Sequence, residues 1–274
     1  MKKTVIGAIA LFGAVSIAQV SAKETISAVG SSSVTPLMEV FSETYMKTHN
    51  DVFMEVQGPG SSAGVKAAKN GSADLGMSSR NLKTSEKEPT IKELTVAMDG
   101  IAVVVNPKNK LGNLTTEQVT SIYKGEVTSW KQVGGEDKPI VVVTRDTASG
   151  TRGAFEDIMK LKRKIAGKKV SAISQRAQVA NGNGALKTMI ASNPYAIGYI
   201  SLGTVDKSVH PLAINDVQPN VENVKNGTYK VARPFLVLYR EGQASKETQQ
   251  FLDWMTSEEA QGLVDKKGYI SVHQ

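Results

Sequence analysis

Cysteine is absent from the 274 residues. That excludes disulfides, and it excludes a lipid-bearing cysteine at a processing site. Histidine is scarce: His49, His210 and His273 stand far apart, and no HExxH or paired-acid motif accompanies them. A metal-dependent phosphatase or sulfatase needs clustered His, Asp and Glu ligands. No serine sits in a Gly-x-Ser-x-Gly elbow with a histidine partner, and Ser149 as a nucleophile would need a base that the sequence does not supply. Aromatic residues make up only 5% of the chain, and the densest basic stretch, Lys160 to Lys169, has none interleaved. It reads as a solvated helix end or loop, and gives no support to nucleic-acid binding. Long apolar runs are lacking after residue 22.

Before residue 22 there is one. Lys2 and Lys3 make a basic start, Val5 to Val20 is mostly apolar, and Val20-Ser21-Ala22 has the small residues of a cleavage site. Residues 1–22 are therefore expected to be a signal peptide, and the mature chain a soluble periplasmic protein. The net charge of +7 includes the two leader lysines, so the remainder carries a mild, scattered excess.

From Lys23 short strands alternate with helices, the pattern of an α/β protein with largely parallel sheets. Thr25 to Val29 reads as a strand entering a Gly-Ser-Ser-Ser turn and a helix with Leu37, Val40, Phe41 and Tyr45 on one face, Pro36 suiting its first turn. Val52 to Val56 leads into a second glycine- and serine-rich turn and a helix stopped at Gly71, and Ala73 to Met77 ends at Ser78-Ser79-Arg80. Ile101 to Val105 reads as a buried strand, and Thr115 with Gln118 as a capping box whose helix stops at Gly125. Ile140 to Thr144 precedes "TRDTASGTRGAF", and Asn181 to Gly184 opens another helix, where the turn could contact a ligand or only cap the helix, the cap being the expected role. Phe235 to Tyr239 resembles a return strand, followed by two amphipathic helices. With no linker in sight, the chain is expected to cross twice between a domain of residues 23–104 plus 236–274 and one of residues 105–235.

The four turns share a chemistry. The first turn of a helix leaves backbone N–H groups unpaired and carries partial positive charge; glycine admits a ligand, and hydroxyls add neutral donors. Such turns suit a tetrahedral oxyanion, gathered beyond the carboxyl ends of the strands. Arg145 adds a fixed charge and a planar fork of donors. Each feature also has a simpler reading: Ser32, Ser33, Ser61 and Ser149 as helix caps, Arg145 paired only with Asp146, Arg152 as a supporting or surface residue. Asp99 reads as a buried, hydrogen-bonded hinge residue between two apolar strands.

The segments "VGSSSVTPLMEVF", "GPGSSAGVKA", "ADLGMSSR", "TRDTASGTRGAF", "AIGYIS" and "FLDWMTSEEAQGLVDKKGYIS" cover much of the mature chain. Through them it resembles the periplasmic phosphate-binding proteins of bacterial phosphate ABC transporters (PstS-like, short form). The resemblance implies a two-lobed, cluster-II-type fold, each lobe a mostly parallel sheet flanked by helices, with phosphate enclosed in the interdomain cleft. It also implies no enzymatic activity, no cofactor and no metal, a monomer, and membrane permease subunits as partners. Carried over by motif, Ser32, the Ser33 amide and Ser61 would bind from one lobe, and Arg145, Ser149, Gly150 and Thr151 from the other. At one place the sequence departs. Where many family members have an aspartate that accepts a hydrogen bond from protonated phosphate, this chain has Ser79, or Ser78 or Arg80 if the match slips by one. Oxyanion binding survives the change, but sulfate or another tetrahedral oxyanion becomes the alternative ligand, and Asp146 becomes the nearest alternative acceptor.

Overall fold

The computed structural model describes residues 23–273, so the expected signal peptide lies outside the described residues. β1 (Glu24–Gly30), α1 (Thr35–Met46), β2 (Val52–Gln57), α2 (Ser61–Asn70) and β3 (Leu75–Ser78) alternate as anticipated. Then comes β4 (Ile91–Val105), followed by β5 (Asn113–Leu114), α3 (Thr116–Lys124), β6 (Val141–Arg145) and α4 (Gly150–Ile158). A hairpin of β7 (Lys162–Ile165) and β8 (Lys168–Ser171) precedes β9 (Gln178–Ala180), α5 (Gly182–Ser192) and β10 (Ala196–Ser201). After β11 (His210–Pro211), β12 (Ala213–Ile214) and α6 (Val221–Lys225), the chain returns along β13 (Ala232–Arg240) and ends with α7 (Lys246–Met255) and α8 (Glu258–Lys266).

Local signals explain much of this. In α1, Leu37, Phe41 and Tyr45 are buried, and Met38 completes the apolar stripe in place of the half-buried Val40. Pro36 occupies the first turn, where its missing N–H costs nothing. At α3 the capping box forms: Thr115 Oγ1 accepts from Gln118 N at 3.1 Å, and Gln118 Oε1 accepts from Thr115 N at 2.8 Å. The helix stops where Gly125 turns left-handed.

The main sheet runs β2-β1-β3-β13-β4-β10-β6-β9, with β11 on β4. Its two ends are parallel (β1 with β2 and β3, β6 with β9 and β10), while β13 lies antiparallel to β3 and β4, and β10 antiparallel to β4. β4 serves both halves. Val96 and Ala97 join a core with Ile26, Phe41, Phe235 and Phe251, whereas Ile101, Val103 and Val105 join one with Tyr123, Phe155 and Tyr199.

Two expectations are corrected. Asp99 does not separate two strands; β4 starts at Ile91 and passes straight through it, because Arg233 lies opposite on β13. The basic run from Lys160 is not a helix end or loop but the β7–β8 hairpin, whose turn uses left-handed Ala166 and Gly167. Its alternation was hidden, since exposed lysines occupy both faces. Among the described residues, no helix is long and apolar enough to cross a membrane.

α2 approaches the sheet closely because Gly64 has no side chain. A Cβ there would stand 2.5 Å from Met77 O and 2.7 Å from Val29 O, both backbone atoms that cannot step aside. Gly64→Ala should therefore lower stability by about 1–3 kcal/mol, as overpacking does. Gly262→Ala on α8, where a Cβ meets nothing within 4 Å, should be neutral or stabilise by up to about 1 kcal/mol. Thermal unfolding of the two variants beside the parent protein measures both effects.

Candidate functional site

Three consecutive serines after β1 do different work. The Ser31 hydroxyl accepts from the amides of Ser33 (3.1 Å) and Val34 (3.4 Å), closing the turn that starts α1. That leaves the side chains of Ser32 and Ser33 to face the other half of the sheet. Ser32 Oγ accepts from Arg145 Nη2 at 3.1 Å. Ser33 Oγ accepts from Asn183 Nδ2 at 3.0 Å and lies 2.9 Å from Thr151 Oγ1. Arg145 leaves the end of β6 with 1% exposure, and its Nη1 donates to Asn183 Oδ1 at 2.9 Å. Its Nε is buried without a partner. Asp146 Oδ2 lies 4.0 Å from Arg145 Nη2 on a part-exposed side chain. Burial draws the Arg145 guanidinium below its ordinary pKa; Asp146 opposes that shift and the positive Arg233 adds to it. Both stay charged, since arginine starts far above neutrality.

The second wall is built from β3, α2 and β13. Ser61 opens α2 and its Oγ accepts from Ser79 N at 3.0 Å. Gly150, first residue of α4, fits against these serines only because it is glycine: a Cβ would stand 2.0 Å from Ser61 Oγ and 2.6 Å from Ser79 Oγ. The backbone closes the same seam, Ser62 N donating to Ala148 O at 3.1 Å. Ser79 Oγ accepts from Ser31 Oγ at 2.8 Å and from Arg233 Nη1 at 3.2 Å. Arg233 is 2% exposed and donates through Nε (3.2 Å) and Nη2 (2.9 Å) to Asp99 Oδ2, which also accepts from Ser201 Oγ at 2.9 Å. Breaking such a buried pair on one side alone costs about 3–5 kcal/mol.

Residues 18–259 match the PBP superfamily domain. The "Phosphate-binding protein PstS" of Bacillus subtilis is 30% identical over 254 residues, covering 89% of this chain and 79% of that protein. The chain belongs to this phosphate-binding family. A phosphate ABC transporter substrate-binding protein with bound phosphate from Clostridium perfringens is 41% identical, with a TM-score of 0.86 over 91% of this chain and all of that one. An ABC-type phosphate transport receptor from Vibrio cholerae is 43% identical, with a TM-score of 0.77 over 89% of this chain and 99% of that one. The two-lobed fold of those proteins is also the fold of this chain. The family is one of solute-binding proteins, not enzymes.

All eight residues singled out from the family's motifs lie in or beside one cluster: Ser32, Ser33, Ser61, Ser79, Arg145, Ser149, Gly150 and Thr151. Ser149 is also a helix cap, accepting from Arg152 N at 3.2 Å, so at this position the simple reading holds as well. Arg152 turns away and supports, its Nη1 on Arg145 O and its Nε on Glu156, both at 2.8 Å. Arg80, beside Ser79, forks onto Glu86 at 2.7 and 2.8 Å. Asp99 is buried and hydrogen-bonded, as expected.

The expected capping role of the Asn181 to Gly184 turn is corrected. No side chain there caps α5, and Asn183 instead joins Arg145 to Ser33. Arg233 was missed, although a signal existed: an arginine heading an otherwise apolar return strand must find a buried partner. Among the described residues no group of three His, Cys, Asp or Glu could hold a metal ion.

Gly150→Ala should fold normally yet hold the two walls apart. Phosphate affinity should fall at least about tenfold, the scale of one lost charged hydrogen bond, while the ligand-free melting temperature stays within a few degrees. Calorimetric titration alongside thermal unfolding checks both.

Proposed function

We propose that this protein captures inorganic phosphate and delivers it to the membrane permease of an ABC transporter, working as a periplasmic monomer released from its leader at residue 22. Ser32, Ser33, Ser61, Ser79, Arg145, Ser149, Gly150 and Thr151 are the proposed ligand contacts. The observation that carries this reading is the buried, donor-rich cluster in which Arg145 and Thr151 of one half hydrogen-bond Ser32 and Ser33 of the other. The N-termini of α1, α2 and α4 open beside it, and each adds partial positive charge. Arg145 and Arg233 repel one another, and a multiply charged anion between the walls relieves that repulsion.

The lobes are proposed as residues 23–104 plus 236–274 and residues 105–235. The cores support a crossing a few residues earlier in β4, at Met98 to Gly100, opposite Ala232 to Pro234 on β13. Because the ligand touches both lobes only when they close, phosphate should shift the population toward the compact form. The radius of gyration from small-angle scattering should fall on adding phosphate; an unchanged value counts against closure.

Arg145→Ala should weaken phosphate binding by about 1.5–3 kcal/mol for the lost charged hydrogen bonds, roughly ten- to a hundredfold, and further to the extent that its bridges to Ser32 and Asn183 favour closure. Arg145→Lys should recover only part, keeping the charge but losing the fork. Titration of each variant with phosphate decides; an alanine variant that binds like the parent removes Arg145 from the site.

A further inference from the structure

A hydroxyl has two lone pairs and one proton, so its partners determine which way it can face a ligand. Ser79 Oγ has both lone pairs engaged, one by Ser31 Oγ (2.8 Å) and one by Arg233 Nη1 (3.2 Å). Ser31 is itself committed, because its oxygen already accepts two backbone amides and its proton goes to Ser79. What remains on Ser79 is a proton, aimed toward Ser61 Oγ at 3.4 Å and the space in front of it. Arg233 cannot turn away, since Asp99 Oδ2 holds two of its nitrogens and Nη1 also donates to Ser79 O at 3.2 Å.

We infer that Arg233, acting through Ser79, makes this wall a donor-only surface that favours the dianion of phosphate over the monoanion and offers no acceptor to the proton that the dianion retains. Arg233 is thus a positioning residue for specificity. The inference rests on the reading of the cluster as the phosphate site. Ser32 Oγ and Ser33 Oγ each accept from a neighbouring nitrogen, and Ser33 Oγ shares a further hydrogen bond with Thr151 Oγ1 in which either hydroxyl can donate. The monoanion would press a second P–OH against donors that cannot accept it. Asp146 Oδ2 lies 4.0 Å from Arg145 Nη2 on a part-exposed side chain, so a ligand proton directed there would meet an acceptor that water also reaches. Fully ionised sulfate therefore meets no buried acceptor at Ser79.

The groups facing Ser79 and Arg233 are Asp99 from β4, Arg145 from β6, Tyr199 from β10 and Tyr269 after α8. Burial raises both phenols, Tyr199 to about 12, so neither ionises near neutrality. Sulfate does not titrate in this range either, and its affinity reports any titration of the protein itself.

Calorimetric titration of the parent protein should show phosphate affinity rising about tenfold from about pH 6 to about pH 8, with the dianion fraction, while sulfate affinity stays level. Sulfate should bind within roughly a hundredfold of phosphate, because a site that reads the ligand's proton would reject it by several orders of magnitude. In Asp99→Asn with Arg233→Met, which removes the pair together and avoids a stranded charge, Ser79 can accept. The phosphate pH dependence should then shrink to less than about threefold, and adding Ser79→Ala should restore it. Equal pH slopes in the parent and the double variant overturn the inference. So does a parent protein that ignores millimolar sulfate, a result that needs no variant to fold. Arg145→Ala separates the two ideas: if it binds phosphate like the parent, the site assignment itself has failed.

Discussion

A guanidinium carried out of water must find its hydrogen bonds inside the protein, and two of the three that this structure buries, Arg145 and Arg233, lie close enough to repel one another. Arg233 finds Asp99 directly across the β13–β4 ladder, on the strand that both hydrophobic cores share. Arg145 finds Ser32 and Asn183, so its partners come from both halves of the sheet. The first arrangement ties the return strand to the crossing strand at one register. The second makes the closed arrangement of the halves and the solvation of a charge the same event. The serine turns, the glycine at the start of α4 and the turn closed by Ser31 bring donors and acceptors to these positions, with Arg145 Nε left unpartnered.

The seam between the halves differs in kind from the cores on either side. Phe155 stacks on Tyr199 at 4.0 Å, and Phe41, Phe251 and Trp254 pack edge-on or stacked; such contacts have no good substitute in water. Across the seam the contacts are hydroxyls, amides and a guanidinium, each of which water can satisfy almost as well. Each half is therefore held by apolar contacts and the seam by polar ones. A ligand that replaces those polar contacts with charge-assisted ones on both sides gains its differential affinity in the closed form alone.

The fate of individual residues shows how far the sequence could be read. The strand and helix starts near Thr25, Thr115 and Phe235 were legible because capping boxes, a first-turn proline and alternating apolar positions act over a few residues. The family motifs also picked out Ser32, Ser61, Arg145 and Thr151, which the fold brings together. The continuity of β4 was not legible. Glu93, Thr95 and Asp99 interrupt its apolar pattern, and only pairing with β13 makes an extended path through them favourable. The hairpin at Lys162–Ser171 was masked by its lysines.

The sequence by itself determined the α/β alternation, the donor-rich turns and the family, because short-range periodicity and contiguous motifs carry all three. Only the tertiary structure decided what each polar group faces. Asn183 reads as a cap until Arg145 lies beside it, and Arg233 is silent until Asp99 and Ser79 stand opposite. Whether Ser79 can accept depends on two donors 48 and 154 residues away along the chain. A hydroxyl's role is set by whoever holds its lone pairs, and in this protein those holders meet only in three dimensions.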